Sequence, residues 1–155
     1  MARHRRHARF TESPLDCRPV EPYRREAMKQ VVFESPLVTI EEDPTERLIW
    51  VRRSTERCDV ERLMATYADA MSQITRSHRG WGMILDMREA PGNNSDAFEN
   101  STAELRAKLS DTFPRVVVLV STVVGELQVK RMARESELET AVTTDEAHAR
   151  RICRT

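Results

Sequence analysis

The run RVVVLVS, residues 115–121, constrains the fold more than any other stretch of this chain. It is nearly continuous Val and Leu, with Pro114 before it and Thr122 after it. A strand with alternating polarity has one wet face, whereas an unbroken apolar run of this length is a strand covered by helices on both faces. Such strands belong to parallel sheets, where each neighbour is reached through a helical crossover.

The flanking sequence supplies those neighbours. PLVTIEEDPTERLIWVRR reads as two strands, 37–42 and 47–53, joined at Asp43-Pro44-Thr45-Glu46 into an antiparallel hairpin. Asp59 is a helix N-cap, and Val60, Leu63, Met64, Tyr67, Met71 and Ile74 follow at helical spacing, with Gly80 just past the end. A strand spans 81–87. Asp96 and Glu99 form a capping-box-like pair before a helix whose inner face is Phe98, Leu105 and Leu109, closed by Pro114. After the apolar run, Thr122 caps a shorter helix carrying Val124, Leu127 and Met132. A weaker strand at 139–143 leads to a terminal helix, with Thr143 and Glu146 as its capping pair and Ala149 and Ile152 facing in. One hairpin followed by alternating strands and helices predicts an α/β fold: a mixed, mostly parallel sheet of about five strands with helices packed on it.

The chain of 155 residues suits one such domain, over 31–155, preceded by a tail over 1–30 that is rich in Arg, Pro and Glu and poor in aliphatic residues. Arg3, Arg5, Arg6 and Arg9 of the tail can meet phosphates, but a solvated flexible end is the simpler expectation. Lys and Arg number 25, as do Asp and Glu, so no net field draws the chain to nucleic acid, and no nucleic-acid partner is expected. No run nears the roughly 18 apolar residues of a membrane span, and no apolar segment follows the basic start MARHRRHARF as in a secretory signal. Cys17, Cys58 and Cys153 are odd in number, far apart and in no CxxC spacing, which speaks for a reducing compartment. The expected location is the cytoplasm.

Ligands of open α/β sheets bind beyond the carboxyl ends of the strands. That edge collects Asp86, Arg88, the loop 91–95 with Asn93, Asn94 and Ser95, and Ser121, Thr122 and Thr143. The stretch LDMREAPGNNSDAFE, residues 85–99, is the centre of it. A P-loop or a dinucleotide fingerprint needs several glycines at fixed spacing, but this loop has Gly92 alone and the whole chain four. Asp86 and Glu99 are a carboxylate pair of the kind acid–base catalysis uses, although Glu99 is better employed on backbone amides at the helix start. His4, His7, His78 and His148 lie elsewhere, no GxSxG or HExxH motif occurs, and Cys58 and Cys153 fit small core spaces better than nucleophile roles. No enzymatic activity, cofactor or metal is therefore expected. Ser95, near a helix N-terminus, suits phosphorylation, because free amides and the helix dipole favour negative charge there; Asn93, Asn94 and Ser95 are equally ordinary turn formers.

The stretches LVTIEEDPTERLIWVRR, WGMILDMREAPGNNSDAFE, RVVVLVSTVVGELQVKRM and TTDEAHARRI, in this order, resemble the STAS superfamily (sulfate transporter and anti-sigma-factor antagonist domains), in its SpoIIAA-like branch. They cover about four-fifths of the chain. The resemblance implies a small non-enzymatic regulatory module that docks a protein partner, such as a kinase-like anti-sigma factor or another switch protein. It also implies a phosphorylated Ser or Thr after the third strand, for which Ser95 is the nearest match. Asn93-Asn94-Ser95-Asp96 stands in place of the family's Asp-Ser-Ser-Gly-like sequence. A likeness of this branch to lipid-carrying domains adds a small apolar ligand as the alternative.

Three readings follow, each with its structural mark. A protein-docking module through Asp86, Arg88, Asn93, Asn94, Ser95 and Thr122 calls for a flat polar loop surface. A small-molecule or lipid binder calls for a concave apolar pocket opening near Asp86 and Thr122. An enzyme calls for a buried Asp86 with a perturbed pKa beside a second titratable group.

Overall fold

The computed structural model describes residues 29–74, 76–93, 95–135 and 140–154. The expected tail up to residue 28, Asn94 and the first residue of the expected last strand lie outside the described residues.

Three strands, β1 (Gln30–Glu34), β2 (Val38–Asp43) and β3 (Leu48–Arg53), form an antiparallel meander. β4 (Gly82–Asp86), β5 (Arg115–Leu119) and β6 (Ala141–Thr143) then add in parallel, so the six strands lie in the sheet in chain order. The sequence reading expected about five strands and missed β1. QVVFE carries a register shift between Val31 and Phe33 and is half exposed, so its side chains have no clean alternation. The β2–β3 turn forms where Asp-Pro predicts it. The Asp43 carboxylate accepts from the Glu46 amide at 3.0 Å, and Arg47 leaves the turn in the left-handed region at φ 53°.

The helices are α1 (Val60–Ser72), α2 (Asp96–Thr112), α3 (Val123–Glu135) and α4 (Glu146–Arg154). Asp59 caps α1 as expected, accepting from the Arg62 amide at 2.7 Å. Three terminal assignments are corrected. α1 stops at Ser72, and Gly80 instead follows a 3₁₀ turn, Arg76–His78, where its φ of 82° lets the chain swing into β4. The cap of α2 is Ser95, one residue before Asp96, with its hydroxyl accepting from the Phe98 amide at 3.3 Å. The cap of α4 is Asp145, not Thr143, accepting from the His148 amide at 2.8 Å. Both capping-box readings fail because, with the caps at Ser95 and Asp145, Glu99 is the fourth helical residue and Glu146 the first, and a capping box needs the third; both glutamates pair with guanidinium groups instead. Glu99 accepts from Arg131 at 2.9 Å, and Glu146 pairs with Arg88 and Arg150.

Parallel strands joined in sequence by right-handed crossovers place every crossover helix on one face of the sheet. Residue alternation records the result. Ile40, Ile49, Val51 and Met83 pack with Leu63, Tyr67 and Ala70 of α1 and Leu109 and Phe113 at the end of α2. The intervening residues Leu48, Trp50, Ile84, Val117 and Leu119 face the other way, onto Ala149 and Cys153 of α4. The sheet is thus covered on both sides, as the apolar run at 115–121 requires. Cys153 fills a core position, as expected of it. Its Sγ lies 3.5 Å from the Met83 carbonyl, and burial pushes the thiol up to about 11.

α4 seats directly on β4 because Gly82 has no side chain. A Cβ there would lie 2.6 Å from Cys153 Cβ and 2.7 Å from the Cys153 carbonyl oxygen. Gly82→Ala is therefore expected to lose about 1–3 kcal/mol in urea unfolding, the usual cost of overpacking. Wild-type stability in that variant would mean that α4 does not rest on β4.

Candidate functional site

The loop between β4 and α2 is neither flat nor purely polar. Beneath it lies a partly open cavity of about 420 Å³, enclosed by the sheet, α1, α2 and α3. Its floor is Val51, Leu85 and Val118, the alternates of strands β3 to β5 that point to the α1–α3 face, with Val120 just past the end of β5. Met71 of α1, Phe98 and Leu105 of α2, and Val129 and Met132 of α3 form the walls, and the loop from Met87 to Asn93 the rim. The cavity exists because α2 and α3 cross the sheet with their stripes interrupted. α2 presents Thr102 and Arg106 among its apolar residues, and α3 presents Gly125 and Gln128. Side chains of that kind do not interdigitate as Leu and Ile would, so the space between helices and strands stays unfilled.

Asp86 belongs to the opposite side of the sheet. Its register partners are Arg52 and Leu119, and it is 3% exposed. The carboxylate accepts from Arg88 Nε at 2.9 Å, Arg88 Nη2 at 2.7 Å and Trp50 Nε1 at 3.3 Å, with Arg52 Nε 3.6 Å away. Burial raises the carboxyl pKa, but the bonds from Arg88 and Trp50 outweigh it and hold Asp86 below the ordinary carboxylate range. The Arg88 guanidinium is in turn held in its charged form by Asp86 and Glu146, the latter 3.4 Å away on α4. A carboxylate so stabilised is an anchor; a general base needs a pKa raised toward neutrality. The Trp50 ring also carries Lys29 at 4.9 Å and Arg150 at 4.8 Å over its face, so α4 and the start of β1 both close on this cluster.

The residues singled out from sequence thus divide. Arg88, Asn93 and Thr122 line the cavity, with Ser121 beside them. Thr122 also holds the start of α3, accepting from the Gly125 amide at 3.1 Å. Asp86 stands behind Arg88, outside the cavity. Ser95 is exposed on the helix start, its hydroxyl donating to Asn93 Oδ1 at 2.9 Å, and Asn94 lies outside the described residues. Thr143 is buried at the end of β6, its hydroxyl accepting from the Asp145 amide.

Sequence reading missed Tyr67 as a cavity residue and missed Thr102 and Arg106 entirely. The Tyr67 phenol is pushed up to about 12 by burial. Thr102 and Arg106 had a visible signal: two polar residues, four apart, inside the stripe Phe98, Leu105, Leu109. A break of that kind in an inner face means either a buried hydrogen bond or a space, and here it means both.

Comparisons with protein-family models, curated proteins and solved structures found no match to this chain. Among the described residues, no helix is long and apolar enough to cross a membrane, and no cluster of His, Cys, Asp and Glu is arranged to hold a metal ion.

Proposed function

We propose that this chain is a non-catalytic binding module of the STAS kind, whose cavity under the β4–α2 loop receives a small apolar ligand. The carrying observation is the cavity itself. It is concave, floored by Val51, Leu85, Val118 and Val120, and rimmed by the polar loop at the edge where α/β sheets present ligands. The non-catalytic part is supported by Asp86, whose charge is consumed by Arg88 and Trp50. The STAS likeness is supported by the order of elements, an antiparallel start followed by three parallel strands added in sequence and a terminal helix.

The test is displacement of a neutral environment-sensitive dye, Nile red, by decanol. Saturable dye fluorescence that decanol displaces is expected, with both lost in Val129→Phe, which fills the space between α3 and the sheet while leaving the circular dichroism unchanged. No saturable dye binding, or binding that Val129→Phe leaves intact, would remove the cavity from the account.

A second reading, a protein-docking face formed by the loop and the neighbouring helix, is favoured by one observation. Val123, Val124 and Leu127 at the start of α3 are 67%, 76% and 63% exposed, beside the cavity rim. Ser95 is the residue through which a phosphate would act on that face, since it is exposed at the N-terminus of α2. Val124→Ser with Leu127→Ser, and separately Ser95→Asp, should alter partner recovery from cell extract without changing stability appreciably. Equal recovery from wild type and both variants would eliminate this face.

A further inference from the structure

One hydroxyl of the cavity wall is left unanswered by the fold. Among the described residues that line the cavity, two buried ones carry a polar side-chain atom, Thr102 and Tyr67. Thr102 is engaged. Its hydroxyl donates to the Phe98 carbonyl at 2.8 Å and accepts from Arg106 Nη1 at 2.7 Å, both within α2. Three polar residues nearer the rim have partners as well: Arg88 meets Asp86 at 2.7 Å, Thr122 the Gly125 amide at 3.1 Å and Asn93 the Ser95 hydroxyl at 2.9 Å.

Tyr67 differs. It stands on the inner face of α1, 9% exposed, in the core cluster with Ile49, Val51, Met83 and Leu109. Its hydroxyl makes no hydrogen bond with any of the described residues. The field of Arg53 reaches the phenol, but that guanidinium is spent on the carbonyls of Leu37, Ser54 and Glu56. Burial keeps the phenol in its protonated form, so what it offers is a neutral O–H donor.

A buried hydroxyl without a partner costs free energy, and native folds leave few of them. Any molecule that fills this space also excludes water from the hydroxyl, so one that brings an acceptor is favoured over one that leaves it bare. A carbonyl oxygen suits the position best. It accepts without donating, and being neutral it enters an apolar space without the desolvation cost of a carboxylate.

Resting on the ligand-binding reading above, we propose that the ligand carries a neutral carbonyl oxygen, of the ketone or ester class, that accepts from the Tyr67 hydroxyl while its alkyl part lies on Val51, Leu85 and Val118.

Two probes of one shape test it: methyl heptyl ketone, and the matching alkene in which a methylene group replaces the carbonyl oxygen. Each is competed against Nile red in the wild type and in Tyr67→Phe, which removes the hydroxyl alone. The ratio of ketone to alkene affinity should fall about fivefold in Tyr67→Phe, the scale of one neutral hydrogen bond. The infrared carbonyl stretch of the bound ketone should lie lower in the wild type than in hexane, and Tyr67→Phe should abolish that shift. Without ligand, the urea midpoint of Tyr67→Phe should equal or exceed that of the wild type, since no hydrogen bond within the protein is lost. A wild-type stretch equal to that in hexane, or a ratio that Tyr67→Phe leaves intact, would overturn the carbonyl assignment while the cavity reading stands. A clear loss of stability in ligand-free Tyr67→Phe would show that the protein itself holds the hydroxyl, and would overturn it too. Should neither the dye nor decanol bind, the cavity reading falls, and this proposal with it.

Discussion

Val117→Asp is expected to unfold most of the population under conditions where the wild type is native. Val117 is fully buried on the α4 face of β5, between Ile84 of β4 and Ala141 of β6. A carboxylate there would stand among the apolar side chains of Leu48, Trp50, Ile84 and Ala149. Leaving such a charge uncompensated costs about 4 kcal/mol or more, much of the roughly 5–15 kcal/mol by which domains of this size are stable. The neighbouring Val118→Asp is the informative control. Val118 points to the other face and floors the cavity, where a carboxylate can draw water through the rim. Its urea midpoint should fall by about half as much, since hydration lowers the burial penalty. Equal losses at the two positions would mean that the space above Val118 is closed to water.

Replacing Asp86 by Ala should produce the second large loss. The substitution removes the common acceptor of Arg88, Arg52 and the Trp50 indole and breaks the link from β4 through Arg88 to Glu146 on α4. We expect about 2–3 kcal/mol, less than a fully enclosed pair would cost, because the Arg88 side chain is 37% exposed and solvent screens what it leaves behind. The pH dependence has a definite sign. The folded state holds the Asp86 carboxyl below its ordinary value, so the unfolded chain binds the proton more readily. Its stabilisation is complete above the ordinary carboxylate pKa of about 4 and is lost as the pH falls through the lower folded value. Asp86→Asn should therefore narrow the stability gap to wild type on acidification below about pH 4. A gap that stays constant from pH 6 to pH 2.5 would show that Asp86 is not ion-paired.

The core elements were legible because each rested on a local physical pattern. The run Val116–Val118 with Leu119 demanded a covered strand, Asp-Pro demanded the turn after β2, and Asp59 with the stripe Val60, Leu63, Met64, Tyr67 and Met71 demanded α1. β1 was not legible, since an edge strand with a register shift and one exposed valine carries no alternation to read. The helix caps at Ser95 and Asp145 were misplaced by one and two residues. Glu99 and Glu146 matched a sequence motif, while each helix starts on a different capping side chain, Ser95 and Asp145, that also fits the local sequence.

The site was half legible on the same grounds. The rim, with Arg88, Asn93 and Thr122, follows from the rule that ligands gather beyond the carboxyl ends of strands. Asp86 shares that edge, but strand alternation turns it to the far face, away from the cavity. The cavity wall was not legible because a void is a property of three helices and a sheet together. Thr102 and Arg106 hinted at it only as irregularities in one stripe.

The central claim is that the space above Val118 receives an apolar chain, and methyl-resolved NMR with Leu and Val labelling reads it most directly. On titration with decanol, the methyls of Leu85, Leu105, Val118 and Val129 should shift together and saturate, because all four line the cavity. Those of Leu48, Val117 and Leu119, packed under α4, should stay in place. Saturable shifts confined to the α4 face, or no saturable shift in either set, would contradict the account.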